Sequence, residues 1–137
     1  MSAKLLNNFL NAVSLAARAE VMVAGKKAGL DLHVLREVIN SSSGVNYATL
    51  NRFPRIIDGD CMEGGLTGKL MTKDLVLYME RARELGVLSL NAAGPMASFD
   101  LGSALGYGDQ ISSRVVDAIG DVSGGIRLQS SHREDMS

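Results

Sequence analysis

Apolar residues recur at spacings of three and four through the first part of the chain: Leu6, Phe9, Leu10, Val13, Ala17, Val21 and Ala24. That period predicts one helix from about Lys4 to Ala28, with Lys26 and Lys27 at the negative end of its dipole and Gly29 as its stop. At 1.5 Å per residue such a helix is about 40 Å long, so the other elements are expected to pack around it. Asp31 is the predicted N-cap of a short helix carrying Leu32, Leu35, Val38 and Ile39. The run Ser41-Ser42-Ser43-Gly44 ends it, and one of those serines can cap the next short helix, residues 45–53, which Pro54 closes. Residues 55–68 are glycine-rich and read as a loop. A further helix runs from about Lys69 to Leu85 on Leu70, Leu77, Met79 and Ala82, stopped by Gly86. A break with Pro95 leads to a helix over about Met96 to Leu105. After the turn Gly106-Tyr107-Gly108-Asp109, Asp109 or Ser112 caps a last helix through Ile119. Residues 120–137 are polar and glycine-rich and read as a disordered tail. No useful length alternates apolar with polar positions, so the fold class is all-α, with one helical domain at 1–119.

Composition agrees with that class. The 137 residues fit one domain, and 46% of them are apolar while 4% are aromatic, which suits closely packed helices better than a β-sandwich. A net charge of −1 calls for neither nucleic acid nor an anionic membrane. The single cysteine, Cys61, forms no internal disulfide, fits a reducing compartment and is too isolated for a metal pattern. No apolar run reaches the roughly 18 residues that span a bilayer, and Asn7, Asn8 and Asn11 interrupt any signal-peptide pattern. The expectation is a soluble, cytoplasmic protein.

Candidate chemistry begins on the first helix. Lys4, Asn8 and Asn11 fall at i, i+4 and i+7 and share a face, with Asn7 and Ser14 beside them. An ammonium in line with amides can hold a small polar ligand, although surface Lys and Asn are more often simply solvated. On the later helix, Lys73 and Asp74 are adjacent, and Lys69 and Lys73 at i, i+4 put two positive charges together, which a bound anion would relieve. His33 suits a surface or capping role, His132 lies in the tail, and neither has a partner at metal spacing, so no metal is expected. The serine run before Gly44 is more often a cap than an anion cradle. No dinucleotide fingerprint, P-loop or nucleophile elbow is present. Residues 31–53 could be laid out as a helix-turn-helix, but the second helix offers DNA only one base, Arg52.

Taken in order, the Lys4–Asn8 element, the long helix, the Ala28–Asn40 segment, the glycine loop leading into Leu66–Leu77, and Gly106–Ser113 resemble the C-terminal helical domain of the β-hydroxyacid dehydrogenases. That family includes 3-hydroxyisobutyrate dehydrogenase and tartronate semialdehyde reductase and is related to 6-phosphogluconate dehydrogenase. The resemblance covers about residues 2–119. It implies a 6-phosphogluconate dehydrogenase C-terminal-like bundle around one long central helix. It makes Lys4 the catalytic lysine, Asn8 and Asp74 substrate-binding groups, and Lys73 the residue that approaches a nicotinamide cofactor, NAD or NADP. Hydride would pass between the substrate carbinol carbon and the nicotinamide while Lys4 moves the hydroxyl proton and steadies the oxyanion. The resemblance also implies a homo-oligomer, at least a dimer, built on this domain. Leu66 stands where the family usually has phenylalanine, and the N-terminal Rossmann domain, which binds most of the cofactor, is missing. The expectation is a domain of an oxidoreductase, inactive by itself, acting with a short 3-hydroxy acid or semialdehyde. The competing expectation is a helical dimerisation module without chemistry.

Overall fold

The computed structural model describes residues 1–58 and 66–129, and it is all-α: among the described residues the only β-pairing is an isolated bridge between Thr67 and Ile111. Helix α1 spans Ala3–Lys27, and its first turn is capped by the Ser2 hydroxyl, which accepts from the Leu5 N–H at 3.2 Å. Around it lie α2 (Leu32–Asn40), α3 (Phe53–Ile57), α4 (Gly68–Glu84), α5 (Ala93–Ala104) and α6 (Val115–Val122). α1 packs against α2, α4, α5 and α6, so the long helix is indeed the central one.

The face that α1 buries takes in only part of the predicted stripe: Phe9 is buried and Val13 half-buried. Leu6, Leu10, Ala17, Val21 and Ala24 are exposed, and Leu10 keeps 62% of its surface. The core face is Phe9, Ala12, Leu15, Ala16, Ala19, Met22 and Val23. α1 carries two apolar stripes, and the buried one sets Phe9, Leu15 and Met22 among small alanines against its neighbours. On α4 likewise, Met71, Leu75 and Ala82 are buried whereas Leu70 is exposed.

Three local details depart from the sequence expectations. No serine caps the segment after α2. Instead Asn46 and Thr49 cap each other: the Asn46 side chain accepts from Thr49 N–H at 3.1 Å and the Thr49 hydroxyl from Asn46 N–H at 2.9 Å. A π-helical turn, Ala48–Arg52, then runs straight into α3, and Pro54 opens that helix rather than closing it, in the first turn where its missing N–H costs nothing. Neither Asp109 nor Ser112 caps α6. The chain enters it through a 3₁₀ turn, Ser112–Arg114, and the Ser112 and Ser113 hydroxyls receive Arg52 Nη1 at 3.3 and 2.9 Å. Arg52 is thereby turned inward, and burial pulls its pKa below the ordinary value against a smaller opposing effect of Tyr47. This removes the one base from the would-be recognition helix.

Past Gly120 the chain stays in the fold as far as Gln129. α6 extends to Val122, Gly124 and Gly125 reverse the chain with φ of +102° and +77°, and Leu128 returns to the core at 2% exposure. Gly120 lies so close to the returning strand of chain that an added Cβ would collide with the Ile126 carbonyl oxygen. Asp117, 2% exposed, is gripped by Arg114 at 2.8 Å and Arg127 at 3.6 Å. Arg127 also meets Asp121 at 2.7 Å, and Tyr107 Oη donates to Asp121 at 2.8 Å. That hydrogen bond, then the one from Arg127, holds the Asp121 carboxyl below its usual range, and the same Tyr107–Asp121 bond raises the Tyr107 phenol. Lys27 Nζ fastens the segment to the end of α1 through Ser123 O at 2.8 Å. The remainder of the expected tail, 130–137, and Cys61 lie outside the described residues.

Candidate active site

Two helices, α1 and α4, bring two of the predicted residues, Asn8 and Asp74, into contact. The start of α4 is fixed first. Thr67 caps it by accepting from Leu70 N–H at 3.2 Å. Gly68 N–H and Lys69 N–H donate to the Gln110 and Gly108 carbonyls at 3.0 and 2.9 Å, and Ser112 N–H donates to Leu66 O at 2.7 Å. The late segment around Tyr107–Ser112 thus ties down the first turn of α4. Leu66, half-buried against the core, contributes its backbone to this clasp.

Two turns along α4, Asp74 meets α1. The Asn8 side-chain amide donates to Asp74 Oδ2 at 3.0 Å, a contact between residues 66 apart in the chain. One helical turn further along α4, Tyr78 lies face to face with Phe9, ring centroids 3.7 Å apart and planes 7° from parallel. Hydrogen bond and ring pair together fix where the two helices touch. Lys4 is exposed on α1 one turn before Asn8, and Lys73 is exposed beside Asp74. Among the described residues neither ammonium has a hydrogen-bond or ion-pair partner, so both keep their donors for something else. Asn11 and Ser14 are half-buried further along the same face of α1, and Asn7 is exposed.

The structure therefore joins Asn8 to Asp74 directly and leaves Lys4 and Lys73 flanking that pair in sequence, both in solvent. The sequence reading overlooked the Phe9–Tyr78 stack. Its signal was present as an aromatic one turn after Asp74, but nothing local pairs it with Phe9. A carboxylate and an amide flanked by ammonium groups can bind an acid and exchange a proton with its hydroxyl. No three His, Cys, Asp or Glu side chains gather to hold a metal among the described residues, and no described helix is long and apolar enough to cross a membrane.

Comparison with known proteins gives this arrangement a family. Residues 1–119 match a family described as NAD-binding of NADP-dependent 3-hydroxyisobutyrate dehydrogenase. The chain is 34% identical over 113 residues to 2-(hydroxymethyl)glutarate dehydrogenase of Eubacterium barkeri, covering 82% of this chain and 38% of that protein. It also matches the crystal structure of 3-hydroxyisobutyrate dehydrogenase from Salmonella typhimurium, with a TM-score of 0.75 and 29% identity over 82% of this chain and 39% of that one. The Mycobacterium tuberculosis 3-hydroxyisobutyrate dehydrogenase with L-serine matches at a TM-score of 0.71 and 26% identity, over 83% of this chain and 41% of that one. The chain thus spans about two fifths of the length of these proteins. With its all-α fold and its joined Asn8–Asp74 face, the chain belongs to the NAD-binding 3-hydroxyisobutyrate dehydrogenase family of oxidoreductases.

Proposed function

We propose that the chain is the C-terminal helical domain of a β-hydroxyacid dehydrogenase, with the 6-phosphogluconate dehydrogenase-like bundle that the sequence implies, its packed part running past the expected end at 119 to Gln129. The observation that carries this reading is the hydrogen bond from Asn8 to Asp74, which brings two of the four implied site residues into contact across 66 positions. Lys4 is the catalytic lysine in this reading. It is one turn from Asn8, solvent-facing and unpaired among the described residues, so its ammonium is available to a substrate hydroxyl. It holds the proton at the carbinol oxygen and balances the charge that develops there. Asn8 and Asp74 orient the substrate.

The residues present fit one edge of a nicotinamide nucleotide and not the whole of it. Lys73 is exposed next to Asp74 and can face the ring end, and Lys69 adds a second positive charge one turn earlier on α4. A glycine-rich phosphate cradle is not part of this sequence, so a Rossmann domain would supply it. The cofactor, NAD or NADP, takes or gives the hydride, and this chain manages the substrate's proton. The substrate class is a short 3-hydroxy acid or semialdehyde, as the names of the relatives suggest. The exposed stripe Leu6, Leu10 and Val21 on α1 fits a homo-oligomer, at least a dimer.

That same stripe favours one rival, a helical dimerisation module without chemistry. Hydride transfer separates the two. Joined to a Rossmann domain, the wild type should oxidise short 3-hydroxy acids with one of the two nicotinamide cofactors, and Lys4→Ala should not. Equal rates for both would leave the dimerisation module as the function.

A further inference from the structure

The Asn8–Asp74 contact does not explain itself. Both side chains are partly open to water, and a single hydrogen bond there gains little more than the side-chain freedom it removes. The packing of α1 on α4 around it sets the distance between the helices at this level. The adjoining contact is Phe9 on Tyr78, Phe9 following Asn8 on α1 and Tyr78 following Asp74 by one turn on α4. Phe9 is buried in the core at 9% exposure, and so is fixed in place, while Tyr78 is half-buried and lies over it nearly parallel. Two large, rigid rings in face contact bury apolar surface between the helices and set how closely they approach at this level.

We propose that Tyr78 is a positioning residue: by stacking on Phe9 it fixes the separation of α1 and α4 and thereby holds the Asn8 amide on the Asp74 carboxylate. The meaning of that pair for substrate rests on the dehydrogenase reading. The positioning itself does not, since it concerns two contacts within this chain. Among the described residues no hydrogen bond engages the Tyr78 hydroxyl, so the ring and not the oxygen does the positioning.

The test reads the Asn8 side-chain amide by nitrogen-15 NMR in the 137-residue chain, assigned through its loss in Asn8→Ala and its shift in Asp74→Asn. Tyr78→Phe keeps the stack and should leave the Asn8 signal unchanged. Tyr78→Leu keeps apolar bulk without a ring face and should move that signal to the position of a solvated asparagine, while the far-ultraviolet circular dichroism stays that of the wild type. An unmoved Asn8 signal in Tyr78→Leu overturns the proposal, and so does a moved one in Tyr78→Phe. If Tyr78→Leu does not fold, Tyr78→Met is read the same way. Unfolding of both also overturns it, because a ring that only positions is not needed for folding. Failure of the dehydrogenase reading is seen elsewhere, in Lys4→Ala retaining hydride transfer, and leaves this result standing.

Discussion

Two groups of charged residues sit in this small domain, and they are built on opposite plans. The group around Asp117 is densely paired: Asp117, 2% exposed, holds Arg114 and Arg127, and Arg127, Asp121 and Tyr107 engage one another, although Arg114 Nε is buried without a partner. The group where α1 meets α4 is sparse, with one hydrogen bond from Asn8 to Asp74 and two exposed ammonium groups left without partners among the described residues. Dense pairing marks charges that hold the fold, since burying the Asp117 carboxylate is tolerated only with its opposite charges close by. Open donors beside an amide–carboxylate pair are what the proposed site would offer a ligand. The difference explains why a cluster that looks less impressive as a network is the better candidate for chemistry.

The largest test of that contrast is Lys4→Ala. Within a cofactor-loaded protein it should slow hydride transfer at least about 100-fold, the usual loss for a missing acid–base group, measured by nicotinamide absorbance. The thermal midpoint of the variant should hardly change, because the side chain is exposed and unpaired. Asp117→Ala should show the reverse. It leaves Arg114 and Arg127 without their shared carboxylate and should cost about 2–3 kcal/mol in urea unfolding, with the Asn8–Asp74 face untouched. Gly120→Ala comes next: its methyl collides with the Ile126 carbonyl, so the returning segment must shift, at about 1–2 kcal/mol. Faster hydrogen exchange in residues 123–128 without loss of the α1–α4 contact would locate the damage.

The smallest effect is a pH dependence. Asp121 has a folded pKa below its unfolded one, so it contributes stability above the ordinary carboxylate range and loses it as pH falls through the lowered value. Tyr107 has a raised pKa, so its contribution is complete below the ordinary phenol range and is lost as pH rises beyond it. Urea midpoints for Tyr107→Phe should therefore approach those of wild type at both extremes, and a constant gap across pH would break the assignment of these shifts to the Tyr107–Asp121 bond.

Helix positions were legible in the sequence because they depend on local signals. Asp31 caps α2, Gly29 and Gly86 follow α1 and α4, and the expected ends of the longer helices hold to within a few residues. Where local signals were equivocal the reading missed. Pro54 is as compatible with the first turn of a helix as with the end of one, and only the π-helical turn before it decides. The polar, glycine-rich run after Gly120 carries no periodicity, yet Arg127 finds Asp117 and Asp121 on α6 and Leu128 finds the core.

Lys4, Asn8, Lys73 and Asp74 are proposed as site residues from a family resemblance carried by motif order, which is a one-dimensional property. The all-α class could be read from the order of residues alone, because a period of three and four has no other cheap backbone solution. Which side of α1 faces inward could not. Both of its stripes are apolar and both carry alanines, so only the packing of α2, α4, α5 and α6 decides which one is covered. The partners of Asn8 and Phe9 were hidden for the same reason: a contact between positions 66 apart exists only once packing has set two helices side by side.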